Sequence, residues 1–374
     1  MTAATVTIRD PHLGRSGGSA ARVTVLVGSY EKETASSEVP WRGLVNDRRE
    51  KRHSPVPIQR ESLTMAPKPT IGFIGLGTIG LPMATNLQKA GYRMVVHDLN
   101  PAPVAEMTGR GATAVASPAE VAAASDVVIT MVPDAPDVEQ VALGPRGIIH
   151  GIRPGCIYMD MSTIDPGTTR KVGATMRAKG ARMVDCPVAR SVDEARAGKL
   201  SIMMGGERAD VEAVQPLLSC LGDTFTYCGP LGNGVAMKLV NNYISASVIA
   251  VHAEALSFGV KAGLSLETIM RVVGGTFAGT RMLGELLPAR AFKGDFRAGF
   301  FARLSRKDMR LGLTLGKEMG VETPVGRGVY ETLEQTCAAG YATDDLTSML
   351  RLREEQAGVR VRLASTPTPG QKPV

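Results

Sequence analysis

Glycines 75, 77 and 80 follow a short apolar run and open a helical stretch in IGFIGLGTIGLPMATNLQKAGY, residues 71–92, and this grammar restricts the fold more than anything else in the chain. Ile71, Phe73 and Ile74 read as a buried strand, Gly75 as the tight turn, Gly77 as room for backbone to meet a pyrophosphate, and Gly80 as a close contact of helix with sheet. The intervening Leu76, Thr78 and Ile79 complete the loop. A helix N-terminus that faces this turn offers unpaired N–H groups and partial positive charge to a dianion without any lysine. A second apolar run, 94–96, leads to Asp98, at the spacing of the acid that holds a ribose diol. A carboxylate there accepts from two hydroxyls and repels a 2′-phosphate, so the expected cofactor is NAD rather than NADP. The competing reading of Asp98 is a turn or cap residue ahead of Asn100 and Pro101.

From Thr70 onward apolar runs alternate with helical ones, which predicts an α/β doubly wound, Rossmann-like parallel sheet over 66–229. The expected strands are 70–75, 93–97, 126–132, 156–160, 182–186, 201–205 and 224–228, with helices at 118–124, 137–143, 166–179 and 209–221 between them. After Gly229-Pro230 the pattern changes. Residues 234–262 hold no proline and stay apolar at helical spacing, the mark of a spine helix that opens an all-helical C-terminal domain, 230–356. Stretches 265–273, 303–319, 325–339 and 344–356 complete it. Residues 1–65, ending at a second plausible start, Met65, just before the first convincing strand, read as a disordered extension or an upstream-start artefact, and 357–374 as a disordered tail.

The net charge of +7 is not a nucleic-acid signal once it is located. The first 65 residues hold ten basic and seven acidic side chains and the last nineteen hold three basic and no acidic ones, so the body carries only +1. Five cysteines form no CxxC pair and no spacing with histidine, so neither a disulfide framework nor a metal site is expected. The expected setting is the cytoplasm, in a chain without a secretory segment.

Four further blocks carry the chemistry: DMSTIDP at 160–166, DCPVARSVDEARAGKLSIMMGG at 185–206, GNGVAMKLVNN at 232–242 and RKDMRLGL at 306–313. Lys238 and Asn242, four apart, project from one face of the spine helix, and an ammonium there can give a proton to a developing alkoxide. Ser162, Thr163, Val132 and Pro133 follow strands, where ligands bind in open α/β sheets.

With the glycine fingerprint, these blocks in this order resemble the β-hydroxyacid dehydrogenase family (3-hydroxyisobutyrate dehydrogenase-like) over about 290 residues, 66–355. The resemblance implies that Lys238 is the acid/base, that Asn242 orients substrate, that Thr163, Val132 and Pro133 line the cofactor cleft, and that Lys307 reaches its nicotinamide end. It also implies a homodimer or homotetramer. Where the family reads Asp-x-Pro-Val-Ser-Gly-Gly, this chain has Ala189-Arg190-Ser191 after Asp185-Cys186-Pro187-Val188. Losing two glycines closes a backbone route to an anion, while Arg190 adds a fork of donors for carboxylate or sulfonate. This segment is similar to the sulfolactaldehyde reductase branch, which is linked to succinic semialdehyde as well, so Arg190, Ser191 and Asn241 are the expected substrate contacts. The expected activity is NAD-dependent interconversion of a short anionic aldehyde and its primary alcohol. A 3-hydroxyisobutyrate or other 3-hydroxyacid dehydrogenase is the alternative, and a non-catalytic NAD(P)-binding interaction module is the reading from another class.

Overall fold

The computed structural model describes residues 68–363 in full and residues 2–6 and 23–27 as backbone. Within the N-terminal extension β1 (Thr2–Val6) and β2 (Val23–Val27) pair antiparallel, where the sequence showed no periodic element. The rest of that extension, with Met65, and the tail from 364 lie outside the described residues.

The main sheet takes nine strands: β3 (Thr70–Ile74), β4 (Arg93–His97), β5 (Thr113–Ala114), β6 (Val127–Thr130), β7 (Ile157–Asp160), β8 (Arg182–Asp185), β9 (Val188–Ala189), β10 (Leu200–Gly205) and β11 (Gly222–Gly229). From β5 through β4, β3, β6, β7 to β8 every pairing is parallel, which is the doubly wound order with its switch point between β3 and β6. These strands read as continuous apolar runs because both faces are covered. Successive side chains serve opposite cores: Ile71, Phe73, Ile129 and Met159 pack on one face, Ile74, Val128 and Tyr158 on the other.

Beyond β8 the direction reverses. β10 runs antiparallel to β8 and β9, and β11 parallel to β10. The expected strands 201–205 and 224–228 are present, but the 14 residues joining β8 to β10 hold only β9 and a short helix, Val192–Ala197, too little for a parallel crossover.

The spine helix runs Asn233–Lys261. By length and composition it would pass for a bilayer span. Its burial assigns it to the fold interior instead: Val235 belongs to a core of the sheet, and Ala246, Ile249, Ala250, Ala253 and Leu256 belong to the helical core. Helices Leu266–Gly274, Ala302–Glu318, Pro324–Thr336 and Ser348–Ala357 complete that half. The expected loss of structure from 357 does not hold for 358–363. Val361 is fully buried, and its N–H donates to Glu354 Oε1 at 2.6 Å, so the chain beyond the last helix is strapped to the core.

Candidate active site

Two glycines of the fingerprint, Gly75 and Gly80, are required for separate steric reasons. Gly75 has φ +93°, and a Cβ there would lie 2.2 Å from the Met131 carbonyl. A Cβ on Gly80 would lie 1.9 Å from the Gly75 carbonyl. At Gly77, which is exposed, a Cβ would meet nothing within 4 Å, so space outside the turn is left for a ligand. The helix Gly80–Lys89 has no side-chain cap and no acid in its first turn, which suits it to a phosphate. Thr78 is exposed, Ile79 half-buried and Leu76 buried. Asp98, at the adjacent strand end, accepts the Leu76 N–H at 2.5 Å on one oxygen and the Asn100 N–H at 2.7 Å on the other. A carboxylate has about four acceptor positions, so Asp98 serves as a turn residue and still has capacity for a diol. These residues fit a dinucleotide.

A chain of buried polar groups shapes the neighbouring loops. The Thr130 hydroxyl, which meets Tyr158 Oη at 2.8 Å, donates to Asp160 Oδ1 at 2.7 Å, and that oxygen also takes the Ser162 N–H at 3.1 Å. Ser162 Oγ in turn accepts the Val132 N–H at 3.0 Å. The loops after β6 and β7, with Val132, Pro133 and Thr163, are thereby fixed to each other. Burial raises the Asp160 carboxyl above its ordinary range.

The helical half meets this rim through one helix, Ala302–Glu318. Lys307 Nζ donates to the carbonyls of Pro133, at 2.9 Å, and Thr163, and it lies 3.0 Å from Asp308 Oδ1. Arg310 pairs with Asp134 at 2.9 Å. The other oxygen of Asp308, a residue only 2% exposed, accepts from Asn242 Nδ2 at 2.5 Å, and Asn241 Nδ2 donates to Asn242 Oδ1 at 3.0 Å. Lys238 lies one turn before Asn242 and is 8% exposed. Among the described residues nothing forms a hydrogen bond to its ammonium. Burial lowers its pKa from 10.5 to about 8, Asp308 working against that shift and Lys307 with it. Asn242, Asp308 and Lys307 thus join the spine helix to the mouths of β6 and β7, and Lys238, one turn before Asn242, is a buried ammonium able to exchange a proton near neutrality.

Arg190 and Ser191 are bonded elsewhere. Arg190 has φ +86° and is the only non-glycine with positive φ among the described residues. It therefore keeps the left-handed backbone that a glycine takes without cost. Its guanidinium donates to Asp223 at 2.6 Å, to Thr224 Oγ1 at 2.8 Å and to the Lys199 carbonyl. The Ser191 hydroxyl caps the helix Val192–Ala197 in a capping box with Glu194. Three carboxylates that shape the site, Asp160, Asp185 and Asp308, were not singled out in the sequence, although each lies inside a quoted block. A charged residue among buried apolar positions was the available signal.

Comparison with known proteins agrees with this fold. Residues 70–229 match the family model described as the NAD binding domain of 6-phosphogluconate dehydrogenase, and 232–353 match that of the NAD-binding region of NADP-dependent 3-hydroxyisobutyrate dehydrogenase. The chain is 38% identical to 2-(hydroxymethyl)glutarate dehydrogenase of Eubacterium barkeri over 291 residues, 78% of this chain and 97% of that one. It is 34% identical to 3-sulfolactaldehyde reductase of Escherichia coli (strain K12) over 293 residues, 78% and 98% respectively. Among solved structures, Mycobacterium tuberculosis 3-hydroxyisobutyrate dehydrogenase with L-serine superposes with a TM-score of 0.71 at 29% identity, covering 76% of this chain and 98% of the other.

Proposed function

Because the chain belongs to the β-hydroxyacid dehydrogenase family, whose 3-hydroxyisobutyrate dehydrogenase-like members are NAD(P)-dependent enzymes acting on hydroxyl groups, we propose that it interconverts a short anionic aldehyde and its primary alcohol. The observation that carries the proposal is Lys238, a buried ammonium with no hydrogen bond among the described residues and a pKa lowered to about 8. A dinucleotide held by the glycine turn and Asp98 would supply or take up the hydride. In the reducing direction Lys238 gives its proton to the oxygen on which negative charge develops; in the oxidising direction its neutral amine takes the hydroxyl proton. Asn242, its amide set by Asp308 and Asn241, has one amide N–H left to offer the substrate oxygen. Lys307 closes the rim by tying the carbonyls of Pro133 and Thr163 to the helical half.

Gly75 to Gly80, Asp98, Val132, Pro133 and Thr163 would hold the cofactor, and the Asp98 carboxylate favours NAD over NADP. Arg190 favours sulfolactaldehyde or succinic semialdehyde over 3-hydroxyisobutyrate: a guanidinium has five donors, and three are used on Asp223, Thr224 and the Lys199 carbonyl in this structure. The names of two relatives, a hydroxymethylglutarate dehydrogenase and a sulfolactaldehyde reductase, support an anionic substrate. A homo-oligomer is favoured by Met237, Val240, Ile244, Val251 and Phe258, large apolar side chains left exposed along one stripe of the spine helix.

Steady-state reduction of short aldehydes bearing sulfonate, carboxylate or neither tests the proposal. The expected result is turnover of the anionic aldehydes, lowered by about 10²–10⁴-fold but still measurable in Lys238→Ala, with Arg190→Ala raising KM by about tenfold for anionic aldehydes alone, the loss of one charge-assisted contact. Full turnover in Lys238→Ala refutes the mechanism, and an unchanged KM in Arg190→Ala refutes the anion contact.

A further inference from the structure

Asp185 ends β8, where the chain leaves the sheet for the segment that carries Arg190, and its side chain is fully buried. Its Oδ1 accepts the Gly232 N–H at 2.8 Å and its Oδ2 the Val235 N–H at 2.7 Å. Both donors belong to the start of the spine helix. That helix has glycine at its N-cap, at φ +92°, and no side-chain cap of its own. The cap is therefore supplied from a strand 47 to 50 residues earlier in the chain. Glycines make the room for it: a Cβ on Gly205 would lie 2.3 Å from Oδ1, and one on Gly234 would lie 2.7 Å from Oδ2. Gly205 also pairs with Asp185 in the sheet, so three segments close around one carboxylate. Burial, with some repulsion from Asp160, pushes the Asp185 carboxyl up to about 6, and the two N–H donors oppose that shift. A side chain costly to bury is thus kept where an apolar one would leave two helix donors unpaired.

Lys238 follows Val235 by three residues, a rise of about 4.5 Å along the helix. We propose that Asp185 is a positioning residue of the reaction, which seats the spine helix on the root of the substrate loop and so fixes where Lys238 meets the substrate oxygen. Displacement of the helix start carries Lys238 with it, and proton transfer is sensitive to about 1 Å. The proposal rests on Lys238 being the acid/base.

Two variants test it from opposite sides of the bond. Asp185→Asn keeps the shape and turns an amide against one N–H. Val235→Pro deletes one donor at the third helical residue, whose N–H goes to Asp185 and makes no intrahelical bond. Each is measured for kcat, KM, NADH affinity by fluorescence and the primary isotope effect with deuterated NADH, in the parent and in Lys238→Ala. The expected result is a kcat lower by about tenfold or more, KM and NADH affinity within about twofold, and a larger isotope effect as chemistry becomes limiting. In Lys238→Ala the same changes cost less than about twofold in residual turnover. Equal losses in both backgrounds, or an unchanged kcat and isotope effect, overturn the proposal. Should Asp185→Asn not fold, Val235→Pro decides. Full turnover in Lys238→Ala alone refutes the acid/base reading instead, and is read separately.

Discussion

Lys238 titrates near 8 in the folded chain against 10.5 when exposed. Between those values the unfolded state binds the extra proton, so stability rises with pH there, and below about 8 the full penalty of about 3 kcal/mol is in force. Lys238→Met is accordingly expected to be inactive yet more resistant to denaturant at pH 7, by up to about 3 kcal/mol, with the gain fading toward pH 10.5; denaturant melts at several pH values check it. The same pKa gives the direction of the pH–rate profiles: oxidation increases as pH rises through about 8, whereas reduction declines. At the ribose end, Asp98→Asn removes the charge but keeps an acceptor, so NADPH should gain on NADH by about tenfold or more in kcat/KM, from lost repulsion of a phosphate. An unchanged ratio would show that Asp98 only braces the turn it holds through Leu76 and Asn100. That Lys238 and Asn242 share one face of the spine helix was legible because a pair one helical turn apart is a local pattern, while their roles came from the resemblance. Asp185 and Asp308 were not, because their partners lie 47 to 66 residues away and no spacing announces them.

At the scale of elements, two glycines of one helix, Pro324–Thr336, behave oppositely. Gly326 is buried against Tyr243 of the spine helix, and a Cβ there would lie 2.4 Å from its ring, so Gly326→Ala should cost about 1–3 kcal/mol. Gly328 is exposed with nothing within 4 Å of a Cβ, and Gly328→Ala should stabilise by up to about 1 kcal/mol. Paired thermal melts check both signs. The parallel strands and long helices were readable because their apolar periodicity is sustained. The helix Pro101–Gly109 was missed: its prolines read as loop, although they stand in its first turn below an Asn100 cap. The reversal of β10 was also illegible, since an apolar run between two covered faces carries no sign of its direction.

Across the whole molecule, the described residues from 68 to 363 cluster as one compact unit, although sequence families change between 229 and 232. The spine helix explains this: Val235 fills a sheet core while residues from Ala246 onward fill the helical one. Calorimetry is therefore expected to show one cooperative transition for the body of the chain; two separated transitions would show that the halves melt independently. The Asp185 seat also bears on how such chains recombine. A chimera of two relatives joined at 229–232 takes the carboxylate from one parent and both of its donors from the other. The graft then depends less on the helices that follow than on whether those few backbone groups arrive in register.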